Sequence, residues 1–496
     1  MVGIAGKSRA CHSCRKRRVA CGFERPHCVR CQKAGIECPG YQRRALFVNR
    51  TVANPLITAN DAIGTLSVSD EATRTSEQDV LDDYHTMERS FAASSYVTSE
   101  FRSTAFRILR RLYLPRESMM NDSIAIGTSF WVTAVCDCVQ ESSTLDLALL
   151  ALCASQLYIT QHGGMTLDRA LEVYSSGLSR LANSLQRVNA NNLPCLLGSI
   201  VALSTCELFV CPLTPGWRAH VQGMAELLRF RTEFDHHGMG ATSWMHLCAR
   251  ARVVTVLTDM MSQTQTNVTA AQWRTIMPDR PEDDPMDNLL DIISDIPALF
   301  KSSDSLQDPT TSMLRILKLI YDWEQRFRKR IGPAPYSFVP SQLSNPADEG
   351  HDEPLYPLVL EFKVLQIASC LIVCWSAMLQ TLAIVIRLHQ RASRSSSYDL
   401  VWGFLDRKAF RNASPEIAII VEAKRRAGLL CQSTEYTHRE EMGSVGPQCM
   451  TYARGVLQRF FEENHMPREL AWCKNIPHMT NQRGERFVVQ MLDFRA

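Results

Sequence analysis

Acidic side chains are almost missing from the first 50 residues, where only Glu24 and Glu37 face 12 lysines and arginines. The rest of the chain carries 42 basic groups against 49 acidic ones. A head at +10 on a body at −7 points to an anionic partner for the head, and nucleic acid is the commonest one. No Walker loop, G-x-G-x-x-G or H-E-x-x-H string occurs, so the usual cradles for nucleotide phosphates, dinucleotides and a catalytic zinc are missing. Nothing in the body argues for catalysis, and the chain is not expected to be an enzyme. The first ten residues, Met1–Ala10, have no apolar stretch of the kind found in a secretory signal. With 18 cysteines in 496 residues, the composition falls short of a disulfide scaffold, and a reducing compartment is expected.

What is present is the composition of a globular protein, 45% hydrophobic and 21% charged, with length for about three domains. Residues 1–45 form a cysteine-dense basic head. Residues 46–87 read as a flexible linker rich in Ser, Thr, Asp and Glu, too poor in apolar area to fold. No heptad fits there: Pro55 and Gly64 would break a helix, and Ile57, Ile63, Leu66, Val68 and Leu81 do not repeat at 3.5. A coiled-coil dimer is therefore not expected.

Residues 88–496 read as a large all-α domain. Leu145 to Thr160 is strongly apolar, and Thr166 to Arg187 places Leu167, Ala170, Leu171, Tyr174, Leu178, Leu181 and Leu185 at steps of three and four. Further helices are predicted in Arg218 to Arg231, Met313 to Trp323 and Ala418 to Leu430, with prolines between helices at Pro278, Pro281 and Pro285 and at Pro333, Pro335 and Pro340. Val364 to Ile386 is 23 residues without a charge, long enough for a membrane anchor. Gln366, Ser369, Ser376, Gln380 and Thr381 interrupt it, which favours a helix buried at the centre of a large domain, so no membrane partner is expected.

Six cysteines crowd into the head: Cys11, Cys14, Cys21, Cys28, Cys31 and Cys38. Their gaps repeat C-x2-C-x6-C twice, across a six-residue connection. A two-residue gap lets two thiolates converge on one metal from a tight turn, and three sulfurs alone cannot close a tetrahedral zinc site. If two zincs share the six sulfurs, two of the sulfurs must bridge, and the cluster keeps a net charge of about −2 that basic neighbours can offset. Lys7, Arg9, Arg15, Lys16, Arg17, Arg18, Arg25, Arg30 and Lys33 supply them. A basic run alone would suit a solvated helix face or a nuclear-import signal, and three disulfides are the alternative to metal. Pinned by metal, a short helix can present its end to a DNA groove.

Residues 10–38, ACHSCRKRRVACGFERPHCVRCQKAGIEC, resemble the fungal Zn2Cys6 binuclear cluster family of transcription factors in the paired spacing, the Arg after the second cysteine and Pro26 before the fourth. The resemblance implies a zinc-dependent microdomain of two short helices around a two-zinc cluster. Cys11 and Cys28 would bridge, Cys14 and Cys21 would complete one site, and Cys31 and Cys38 the other. It also implies that the end of the first helix enters the major groove over a CGG triplet. Arg17 matches the family. Position 18, normally Lys, is Arg18, whose fork suits guanine O6 and N7. Ala20 stands where a basic residue is usual, so one phosphate contact is expected to be missing. Lys7, Arg9, Arg15, Lys16 and Arg30 are expected to hold phosphate. Pro39-Gly40-Tyr41 with Leu46 and Phe47, and Trp217-Arg218-Ala219-His220 followed by Gly223, Leu227 and Leu228, are similar to strings linked to the second fungal-specific transcription-factor domain. By periodicity Trp217 and His220 are core residues rather than ligands.

Two other groupings draw notice. Cys136 and Cys138 are one residue apart with no neighbour to complete a metal site, and Asp235-His236-His237-Gly238 reads as an exposed turn. The sequence thus implies a nuclear, sequence-specific regulator of RNA polymerase II genes, with two Zn2+ per chain. Its partners would be double-stranded DNA and the transcription machinery or co-regulators, and it would act as a monomer or a dimer through the helical domain. A nutrient-use or secondary-metabolite gene cluster is the expected kind of target. The alternatives are a ligand-sensing or a membrane-tethered regulator in which the helical domain dominates.

Overall fold

The computed structural model describes residues 13–14, 17, 19–22, 28–36 and 38 of the head. Beyond it, the description covers 70–120, 130–210, 216–230, 241–263, 268–278, 280–294, 296–297, 309–391, 397–407, 410 and 413–481. The chain divides into two units, Met1–Ser69 and Asp70–Ala496. In the first, helix α1 is Val29–Lys33.

The second unit begins with α2, Asp70–Ala92. This helix corrects the linker expected over 46–87, of which residues 46–69 lie outside the described residues. Its buried side chains, Val80, Tyr84 and Met87, fall at steps of four and three, a stripe too narrow to stand out in a polar stretch. Next come α3 (Thr98–Leu112), α4 (Phe130–Cys136), α5 (Ser143–Ile159), α6 (Leu167–Leu185) and α7 (Leu193–Val210). Ser142 and Thr166 start α5 and α6 by accepting the backbone N–H groups of Leu145 and Arg169 at 3.3 and 3.2 Å. α6 is amphipathic and buries Ala170, Val173, Tyr174, Gly177 and Leu181. By contrast α7 buries every residue, and α5 nearly all, and these two pack on each other and on α6.

Helices α8 (Gly216–Phe230) and α9 (Ala241–Ser262) cover α7, followed by α10 (Ala270–Ile276), α11 (Pro285–Ile293) and α12 (Pro309–Ile331). Two strands then depart from the all-α expectation. β1 (Tyr336–Pro340) pairs antiparallel with β2 (Leu358–Phe362) in the register Tyr336↔Phe362, Phe338↔Leu360 and Pro340↔Leu358. Both are five-residue runs of mostly aromatic and branched side chains, and Pro340 sits at a strand end where its missing N–H costs little. The ribbon is held by Tyr336, whose ring meets Phe362 at 5.7 Å and Trp375 at 5.6 Å.

Trp375 belongs to α13, Leu365–Arg391, the second buried helix, which packs against α12, against α14 (Pro415–Gln432) and, beyond the short α15 (Thr434–Thr437) and α16 (Val445–Cys449), against α17 (Thr451–Glu463). α18 (Pro467–Lys474) and α19 (Ile476–Asn481) follow. By length and composition, Leu193–Val210 and Leu365–Leu388 could each cross a membrane, and the fold buries 100% and 89% of them. The polar residues of α13 are used inside the protein. Gln380 donates to the Met260 carbonyl at 2.7 Å and accepts from Tyr452 at 2.6 Å, while Ser376 and Thr381 donate to the carbonyls of Ile372 and Ala377, each at 2.7 Å.

Candidate metal centre and nucleic-acid interface

In the head the sulfurs of Cys14, Cys28 and Cys31 lie within 4.8 Å of one another, and all three side chains are fully buried. Cys28 Sγ is 3.6 Å from Cys14 Sγ, which is 3.9 Å from Cys31 Sγ. Four thiolates around one zinc at about 2.3 Å would stand about 3.8 Å apart, so these separations fit a shared metal; a disulfide requires about 2.05 Å. Cys21 and Cys38 are buried too, with Val19 packed beside the sulfurs.

Local backbone geometry places them. Cys28 is the N-cap of α1, and its sulfur accepts the N–H of Cys31 at 3.3 Å. The two-residue gap therefore sets two sulfurs at the positive end of a helical turn, where negative charge is favoured. Cys28 N–H in turn donates to Cys38 Sγ at 3.4 Å, tying the last cysteine to the fourth. After α1 the chain reverses at Gly35, whose φ of +61° is left-handed, with Ile36 N–H on the Cys31 carbonyl at 3.0 Å. Around Cys14, the N–H groups of Arg17 and Val19 bond to the carbonyls of Ser13 and Cys14, both at 3.0 Å.

Arg17 and Arg30 are exposed, as an anion-binding face requires. Cys11, Lys7, Arg9, Arg15, Lys16 and Arg18 lie outside the described residues, as do Pro39-Gly40-Tyr41 and Asp235-His236-His237-Gly238.

In the body, His220 is buried in α8, its Nε2 at 3.1 Å from Glu207 and 3.3 Å from the Tyr174 hydroxyl. It is a core residue tying α6, α7 and α8 together; the Trp217 side chain lies outside the described residues. Cys136 and Cys138 do not pair. The sulfur facing Cys138 is that of Cys195, at 3.8 Å and 57 residues away, a distance along the chain at which no local spacing rule could find it.

Residues 9–46 match the fungal Zn(2)-Cys(6) binuclear cluster domain. The head is a domain of that family. The chain is 56% identical over 39 residues to part of the aspercryptin biosynthesis cluster-specific transcription regulator atnN of Emericella nidulans. That match covers 8% of this chain and 6% of the relative's length. No solved structure matches the chain.

Proposed function

We propose that the chain is a nuclear, sequence-specific DNA-binding regulator of transcription. The observation that carries this is the convergence of three buried cysteine sulfurs at metal spacing, within a segment that matches the binuclear cluster domain. Cys11, Cys14, Cys21, Cys28, Cys31 and Cys38 hold two zinc ions, with Cys11 and Cys28 shared between them. The metal supplies cross-linking, and in so short a segment binding free energy is folding free energy. Arg17 and Arg18 probe base edges at a CGG-type site, while Lys7, Arg9, Arg15, Lys16 and Arg30 hold phosphate, which makes affinity steeply salt-dependent. The helical body regulates output at RNA polymerase II genes, through co-regulators or self-association. The relative's name, that of a biosynthesis cluster-specific regulator, supports a biosynthetic gene cluster as the target.

Selection of random DNA by the full chain, with and without a strong zinc chelator, tests this reading. CGG-containing sites should be enriched, enrichment should vanish on chelation, and the chain should hold two equivalents of zinc. Enrichment that survives metal stripping, or fewer than two equivalents, overturns it.

A second reading, in which the body also senses a small molecule, is favoured by a cleft lined by Leu208, Val254, Met261, Val373 and Tyr452. Arg250 lines it as well, is buried, and has no carboxylate partner among the described residues; its Nε makes no hydrogen bond. An apolar carboxylate would satisfy both the lining and the cation. Saturable stabilisation of the full chain by hexanoate, lost in Arg250→Gln, is the expected result.

A further inference from the structure

Residues 137–142 form the loop between α4 and α5, and Cys138 sits on it between the exposed Asp137 and the exposed Val139. Its sulfur faces that of Cys195, in the first turn of α7, at 3.8 Å, with both side chains buried. Around this contact the fold gathers a cation and donors. Arg102, fully buried on α3, donates from Nε to Asp146 at 2.6 Å and from Nη1 to the Cys138 carbonyl, while its Nη2 has no hydrogen-bond partner. Asp146 is also the acceptor of the Tyr96 hydroxyl at 3.0 Å. Gln140 Oε1 stands 3.5 Å from Cys195 Sγ.

We propose that Cys138 and Cys195 form a dithiol that a hydroperoxide oxidises to a reversible disulfide. Closing the contact to a bond of about 2.05 Å needs a movement of under 2 Å, which one loop can supply. The two thiols are unequal. The hydrogen bond shared with Cys195, the loop backbone at Gln140 and the Arg102 guanidinium hold the Cys138 thiol below its ordinary value, against burial. The same shared hydrogen bond, with burial, pushes Cys195 up. Cys138 is thus the attacking thiolate and Cys195 the resolving thiol. Cys136, two residues away, is pushed up by burial and is a poor competitor.

The chemistry balances with hydrogen peroxide as oxidant. Cys138 thiolate attacks one peroxide oxygen, an S–O bond forms, the O–O bond breaks, and hydroxide leaves as water with the proton that Cys138 had released. Cys195 sulfur then attacks Cys138 sulfur, the S–S bond forms, the S–O bond breaks, and the leaving hydroxide takes the Cys195 proton as a second water. Two electrons pass from the dithiol to peroxide, and a thiol reductant reverses the change.

The test is site-resolved alkylation and mass mapping of the full zinc-loaded chain treated with hydrogen peroxide. Cys138 and Cys195 should lose alkylation together, appear as a linked peptide pair lighter by two hydrogens, and recover with dithiothreitol. In Cys195→Ser, Cys138 should accumulate a sulfenic acid that dimedone traps; in Cys138→Ser, Cys195 should stay reduced. The proposal is overturned if both thiols remain alkylated while head cysteines oxidise, if Cys138 links to Cys136 instead, or if Cys195 oxidises equally well without Cys138. Mapping of the unsubstituted chain decides the matter even if a serine variant misfolds.

Discussion

A buried imidazole shows how one residue sets a pH limit on the body. His438 is almost fully enclosed, and its Nδ1–H donates to the Thr434 carbonyl at 2.8 Å, beside Thr437 Oγ1 at 3.2 Å. Burial, aided by the nearby Arg454 and opposed by the Thr434 bond, holds its pKa down to about 4. The folded protein therefore binds this proton less readily than the unfolded chain does. The neutral ring's contribution is complete above the unfolded value of about 6.5 and is lost as pH falls towards 4, about 3 kcal/mol across the window. Urea midpoints followed from pH 7.5 down to 4.5 should fall more steeply for the natural chain than for His438→Gln. Parallel curves would show that this ring does not set the limit.

At the scale of elements, the chain just after α3 is joined through backbone to the start of α16 and to the segment before it. Val445 N–H bonds to the Tyr113 carbonyl at 3.1 Å, and Arg116 N–H to the Glu441 carbonyl at 2.8 Å. Between them Gly443 has φ +53°, and a Cβ there would come within 2.6 Å of the carbonyl oxygens of Tyr113 and Leu114. Gly443→Ala should destabilise the body by about 2 kcal/mol or more, read as a lower denaturant midpoint, because both the backbone angle and the close approach oppose the added methyl.

Helices α12, α13 and α14 meet at a buried ion network. Arg426 donates to Glu324 at 2.8 Å and to Glu422 at 2.6 Å, Trp375 Nε1 donates to Glu324 at 3.0 Å, and the Tyr321 hydroxyl donates to Glu422 at 2.6 Å. Burial alone would raise Glu324, but Arg426 and Arg328 win and hold it below the ordinary carboxylate range. Arg426→Met removes the shared cation and leaves Glu324 to Arg328 at 2.9 Å and Glu422 to the more exposed Arg425 at 3.3 Å, so a loss of about 3 kcal/mol is expected in chemical denaturation. Adding Glu324→Gln and Glu422→Gln should restore part of it.

These elements also show what could be read in advance. The predicted helices at Leu145 to Thr160 and Thr166 to Arg187 correspond to α5 and α6, because their apolar residues repeat within a few turns. The cysteine spacing of the head was legible for the same reason, since α1 and its N-cap are local. α7 was missed because a helix buried all round has no polar face to mark its period. β1 and β2 were missed because each is too short to show alternation, and the Cys138–Cys195 contact because tertiary folding alone creates it.

At the scale of the molecule, helix among the described residues is concentrated from residue 70 onward, while the converging sulfurs of Cys14, Cys28 and Cys31 lie before residue 39. Metal removal should therefore separate two properties of one protein. Chelation of the full chain is expected to abolish retention on CGG-bearing DNA while leaving far-ultraviolet circular dichroism nearly unchanged, with zinc restoring retention. A large loss of helical signal on chelation would contradict this. Lowering of salt should strengthen DNA binding in the zinc-loaded chain, as counterion release requires.

The complete enclosure of α7 constrains how the protein can be made. A ribosome that has just added Val210 holds an apolar rod that α5 and α6 can meet but whose remaining cover, α8 and α9, has yet to be translated. A transcript cut short there would yield a stub that aggregates or is captured by chaperones, so only synthesis well past that point leaves the rod sheltered.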